Sequence, residues 1–219
     1  RRSSDLGSPF ERGLAEGKEI QELLWDITHK TGLKFNVNIG TFIPKPHTPF
    51  QWTPQLHIEE SETIINDIKK DLPRSVQLHY HSPTLSFIEG MIARGDRKVG
   101  EVIKKAYKKG ARLDAWEEHF RWSPWKEAIE EEYPGVREVV CDAKDVHSKN
   151  SLPWDSISLG IGKKFLKEEY TKGKRGELTD VCQEACDHPC GMCKERAKDP
   201  ILGYPKEELL NNVEDSAYT

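Results

Sequence analysis

The chain has 219 residues, 36% hydrophobic and 32% charged, with a formal net charge of −4. That length suits one large domain or two small ones, and six Trp, seven Phe and six Tyr argue against disorder. No run approaches the span of a membrane helix, no secretory signal pattern is present, and the acidic balance gives nucleic acid no electrostatic hold on the chain as a whole.

Taken in order, Ile20, Leu23, Leu24 and Ile27 recur at helical spacing and predict a helix over roughly 11–30, stopped by Gly32. A strand follows over about 34–43, where Phe35, Val37, Ile39 and Thr41 alternate with Asn36, Asn38 and Gly40. Pro44, Pro46, Pro49 and Pro54 then forbid helix and stiffen a loop. A helix over about 59–71 buries Ile64, Ile65 and Ile68. A second strand, about 75–81, alternates Val76, Leu78 and Tyr80 with Gln77, His79 and His81. Helices over 84–94 and 96–109 come next. Beyond Gly110 the pattern loosens into an aromatic segment with Trp116, Phe120, Trp122 and Trp125, and short helices are expected near 124–133, 160–171 and 205–212.

Helices alternating with strands read as α/β with parallel strands. A boundary is expected near Gly110, dividing residues 1–110, built of repeating α/β units, from 111–219, an irregular α-rich extension. Each strand has one apolar and one polar face. In a barrel the apolar face packs under helices, and Asn36, Asn38, Gln77, His79 and His81 line a lumen. An antiparallel sheet with one solvated face accounts for the same alternation.

Four of the five cysteines, Cys182, Cys186, Cys190 and Cys193, form a C-x3-C-x3-C-x2-C pattern, with Cys141 alone. Clustering of this kind points to a reducing, cytoplasmic setting and one metal centre, not a disulfide scaffold. Thiolates bind zinc or an iron–sulfur cluster, four in either case. Pro189 and Gly191 let so short a stretch wrap, which suits a cubane [4Fe–4S] cluster better than the widely spaced pairs of structural zinc. His188 is an alternative ligand, and disulfides or free thiols are the remaining outcome.

The run Gly40-Thr41-Phe42-Ile43-Pro44-Lys45-Pro46-His47-Thr48-Pro49-Phe50-Gln51-Trp52 resembles radical SAM proteins that carry a cobalamin-type N-terminal domain. The likeness continues through His81-Ser82-Pro83, Phe87–Arg97, Gly110–Phe120, Leu152-Pro153-Trp154-Asp155 and the cysteine segment. It implies the last strands of a partial (β/α)6 barrel followed by a cysteine-containing appendage. The radical-generating cluster would then sit on a CxxxCxxC loop in an N-terminal half of the same protein, and the chain's opening on Arg1 fits that reading. Thr41, Phe42 and Ile43 are placed near the adenine of S-adenosylmethionine by the resemblance, and the four cysteines become an auxiliary centre.

Each remaining candidate has a plainer reading. His47 either faces the active-site mouth or belongs to a rigid loop packing Phe50 and Trp52. His79 and His81 either line a cavity or are hydrogen-bonded structural histidines. Asp114, Glu117, Glu118 and His119 resemble a carboxylate–histidine cluster, but adjacent Glu117 and Glu118 point apart on a helix or a strand, so they read as a packing and ion-pair segment. Lys163, Lys164, Lys167, Lys172, Lys174 and Arg175 could meet RNA phosphates, although Glu168, Glu169 and Glu177 dilute them. Cys141 reads as a small buried hydrophobe. The function expected is a radical SAM enzyme portion, the alternative a zinc-stabilised module that binds RNA or a partner protein.

Overall fold

Alternation of apolar and polar residues produces the strand it predicts, β2 (Phe35–Thr41), with Val37, Ile39 and Thr41 buried and Asn36 exposed. The computed structural model describes residues 2–7, 14–180 and 190–191. β2 lies between β1 (Arg2–Leu6) and β3 (Val76–Tyr80) in a three-stranded sheet of order β1-β2-β3. Both pairings are parallel, with Leu6 opposite Thr41 and Asn38 opposite His79. The antiparallel alternative therefore falls, and the protein is mixed α/β with a small parallel sheet.

Parallel neighbours need crossover helices, and the chain supplies them. Helix α1 (Leu14–Thr31) joins β1 to β2, and α2 (Ile58–Lys70) joins β2 to β3. Their apolar stripes meet the sheet in one core of Leu6, Leu24, Val37, Ile39, Leu56, Ile64, Ile65 and Ile68. Leu23, expected on the buried stripe of α1, is exposed. α1 also reaches the open carbonyls at the end of α2. Gln21 Nε2 donates to Asp67 O at 2.9 Å and Trp25 Nε1 to Asp71 O at 3.2 Å, satisfying acceptors that a helix end leaves without partners. Gly7, at φ 74°, turns the chain out of β1; a Cβ there would sit 2.5 Å from Leu56 Cγ.

A second core forms among α3 (Pro83–Arg94), α4 (Lys98–Lys108), α5 (Trp122–Glu132) and α6 (Val136–Cys141). Phe87, Met91, Val102, Ala106, Ala128, Val136 and Val140 are buried in it. This core runs across Gly110, where the sequence suggested a boundary. Outside it, Lys105 bridges Glu131 and Glu132, and Lys109 bridges Glu127 and Glu131, clamping α4 to α5.

The chain divides into two compact units, Arg1–Trp154 and Asp155–Thr219. In the second, α7 (Lys163–Lys174) begins at Gly162 and buries Leu166. The helix expected near 205–212 lies outside the described residues. No helix among the described residues is long and apolar enough to cross a membrane.

Candidate functional site

The loop after β2 is held from several sides. His47 takes a left-handed φ of 58°, uncommon for a residue with a Cβ, and its N–H donates to Gln51 Oε1 at 3.1 Å. Thr48 Oγ1 donates to Lys45 O at 2.8 Å. A single 3-10 turn, Pro49–Trp52, follows, with proline at its start, where no N–H is required. Thr53 closes it through its N–H and hydroxyl, both on Phe50 O. Trp52 is buried, and Phe42 meets Phe50 edge to face.

Beneath the loop lies a buried polar knot. Gln51 Oε1 also accepts the indole N–H of Trp154 at 2.6 Å, across 103 residues of sequence. Arg94, fully buried, donates from Nη1 to Thr53 O at 2.7 Å and from Nη2 to Asp142 O at 3.4 Å. Those carbonyls belong to the C-caps of the 3-10 turn and of α6, so one guanidinium closes two helix ends. Gln55 Nε2 donates to Ser86 O at 2.9 Å, and Gln55 N–H to Cys141 O at 3.1 Å. Lys45 and Glu89 pair at the rim. Gly40–Trp52, Phe87–Arg97 and the segment ending at Trp154, distant in sequence, meet here.

Burial sets the chemistry of the charged members. It pushes the Arg94 guanidinium down to about 10 and the Cys141 thiol up to about 12, so neither titrates near neutrality. Cys141 is an inert, buried group, as expected of a lone cysteine among apolar neighbours.

The uncovered face of the sheet differs. An open hollow of ≈ 470 Å³ is lined by Asn38, Leu78, His79, Tyr80, His81 and Glu117. Asn38 and His79 are ladder neighbours, and His81 continues the strand through its N–H to Ile39 O at 3.0 Å. The structure thus brings Asn38, His79 and His81 together. Asn36 stands exposed at the start of β2, and His47 belongs to the anchored loop. Glu117, read from sequence as a packing residue, is the addition. The turn that carries it contains Leu113 at φ 55°, a backbone state that no sequence period announces.

The other expected ligands separate. The Thr41 side chain is buried toward α2, donating to Ser61 Oγ at 3.3 Å, and Phe42 N–H donates to Leu6 O at 2.7 Å. Phe42 and Ile43 are half-buried at the C-terminal end of β2. Of the cysteine set, Cys190 alone lies among the described residues; Cys182, Cys186, Cys193 and His188 lie outside them. Cys190 is half-buried, and its carbonyl accepts Gly162 N–H at 2.7 Å. Gly191 turns at φ 92°, where a Cβ would come 2.8 Å from Gly160 O. The turn at Gly191 therefore depends on glycine.

The basic stretch of α7 is largely spent on neighbouring acids. Lys163 pairs with Asp155, Lys164 with Glu168, Lys172 with Glu169 and Arg175 with Glu177. Lys174 lies over the Tyr170 ring. Comparison of the chain with protein families, curated proteins and solved structures finds no match.

Proposed function

We propose that this chain is the C-terminal portion of a radical SAM iron–sulfur enzyme, with the four cysteines forming an auxiliary centre. The observation that carries the reading is the knot. Three of the resembling stretches, with Gln51, Glu89 and Trp154 among their residues, are tied together through Gln51–Trp154 and Lys45–Glu89, and Arg94 of one reaches Thr53 just past another. A parallel sheet with helices on one face and polar side chains on the other is the form that the end of a partial (β/α)6 barrel takes. Asn38, His79 and His81 would then face the lumen and the substrate.

Phe42 and Ile43, at the carboxyl end of β2, would approach the adenine of S-adenosylmethionine through their main chain, with Thr41 buttressing them from the core. The deoxyadenosyl radical is the cofactor's own chemistry, generated at a cluster held by the N-terminal half; these residues bind and orient. The auxiliary centre would be held by Cys182, Cys186, Cys190 and Cys193.

The test is metal content and visible absorbance of the anaerobically purified chain beside Cys190→Ala/Cys193→Ala. About four irons per chain with broad absorption near ~400 nm, lost in the variant, is the expected result. One zinc without colour would overturn the iron–sulfur reading and make the centre a structural staple.

A further inference from the structure

We propose that His79 and His81 chelate a divalent transition-metal ion, with Glu117 as the third ligand. The inference goes beyond the radical SAM reading and does not require it, since it uses only the strand face and the hollow.

The two histidines are separated by one residue on β3 and its continuation. Successive side chains of a strand alternate faces, so these two share one, and their Cα atoms lie roughly 6.6 Å apart at the ordinary rise per residue. Imidazoles so spaced can both come within about 2.1 Å of a single ion. Both residues are exposed, and both line the hollow together with Asn38 and Glu117.

A histidine buried in a sheet spends its ring nitrogens on hydrogen bonds within the protein, whereas His79 and His81 face water. Among the described residues neither imidazole donates or accepts one, and the same holds for His47, His119 and His147, whereas His57 Nδ1 accepts from Arg137 Nε at 2.9 Å and His29 Nδ1 pairs with Trp25 O at 2.8 Å. Glu117 likewise forms no ion pair among the described residues, in a chain whose other surface carboxylates are widely paired. The hollow therefore gathers two nitrogen donors and one carboxylate with their lone pairs unspent.

Two imidazoles and a carboxylate suit zinc, nickel, copper, cobalt or iron(II), not magnesium or calcium, and leave coordination positions open to an outside ligand. Without an ion, no three such side chains among the described residues stand in ligating arrangement. All three are exposed and line the same hollow.

The test is a Ni²⁺ titration of the full chain as purified, with whatever metal its cysteines carry. It is followed by calorimetry and by paramagnetic broadening of the histidine ring resonances. The expected result is one Ni²⁺ site whose binding broadens His79 and His81 before His47, His119 and His147. His79→Ala or His81→Ala should weaken that site about tenfold or more, and Glu117→Gln by a few-fold, by loss of a ligand. Being exposed, these positions leave circular dichroism and melting unchanged. Uniform broadening of all exposed histidines, or an affinity unmoved by His79→Ala, would overturn the chelate. An affinity unmoved by Glu117→Gln would overturn the third ligand. A site at the cysteines reports separately, through its thiolate absorption.

Discussion

If the knot beneath the proline loop holds the first unit together, Gln51 and Trp154 should be energetically coupled. Gln51 Oε1 accepts from Trp154 Nε1 at 2.6 Å and from His47 N at 3.1 Å, and both side chains are buried. Gln51→Leu keeps the volume roughly constant but strands the indole N–H in the core. An unsatisfied buried donor costs about 1–3 kcal/mol, and the half-buried His47 N–H adds about 0–1 kcal/mol if water replaces its acceptor. The single variant should lose about 1–4 kcal/mol. Trp154→Phe removes the donor itself. It forfeits a hydrogen bond worth about 1 kcal/mol and leaves a partly collapsed cavity worth about 1–2 kcal/mol, together about 2–3 kcal/mol.

In the double variant the indole N–H is no longer stranded, because it leaves with its acceptor, and only the half-buried His47 N–H still has to find water. The combined loss should fall short of the sum by about 1–2 kcal/mol, well outside the scatter of about 0.3–0.5 kcal/mol seen for independent sites. Equilibrium urea unfolding of all four proteins measures this. Tryptophan fluorescence and far-ultraviolet circular dichroism should give coincident transitions, which license the two-state treatment. Additivity within error would refute the claim that Gln51 joins the 152–155 segment to the loop.

Two further outcomes follow from the same packing. Gly90→Ala places a methyl 2.1 Å from Gln55 Oε1, on a side chain pinned to Ser86 O, and overpacking there should cost about 1–3 kcal/mol in urea unfolding, where an ordinary helical glycine would be improved by alanine. Glu131 is held down at about 2 from an ordinary 4.5, first by hydrogen bonds from Lys105 and Lys109. A folded value below the unfolded one stabilises fully above pH 4.5 and is lost as pH falls toward 2. Glu131→Gln should therefore unfold at lower urea than the parent at pH 7, and the gap should narrow steadily below pH 4.5; a gap independent of pH would place its origin elsewhere.

Much of the sheet's chemistry was legible because strand alternation is short-range. Phe35, Val37 and Ile39 against Asn36 and Asn38 announce both the strand and its two faces, and His79 with His81 follows by the same rule. β1 was not legible: Arg2-Ser3-Ser4-Asp5-Leu6 holds one apolar residue, and its strand state comes from the ladder to β2. α6, only Val136–Cys141, is too short to show a period. The expected start of the last described helix moved from 160 to Lys163, because Gly160 and Gly162 serve the Cys190–Gly191 turn instead. Glu117 stood out in the sequence only as a packing and ion-pair residue, since a turn through Leu113 and not a periodic element delivers it to the hollow. The partnership of Gln51 with Trp154 was equally hidden, being a contact over 103 positions.

Parallel sheets ordinarily bury both faces, because their crossover helices can cover both. Here α1 and α2 meet in one core with β1, β2 and β3, and the opposite face presents Asn36, Asn38, Gln77, His79 and His81, of which all but Asn38 are exposed. Apolar residues at those positions would create a hydrophobic patch open to water, so polar ones are tolerated. Tolerance alone, however, favours a polar strand former such as Thr on a solvated face. Asparagine is depleted in strands, and two histidines a residue apart, with rings that pair with nothing among the described residues, add no cross-strand support. These side chains are a poor choice for holding a sheet and a good one for holding a ligand. The polar face is thus the part of the molecule whose composition packing alone does not explain.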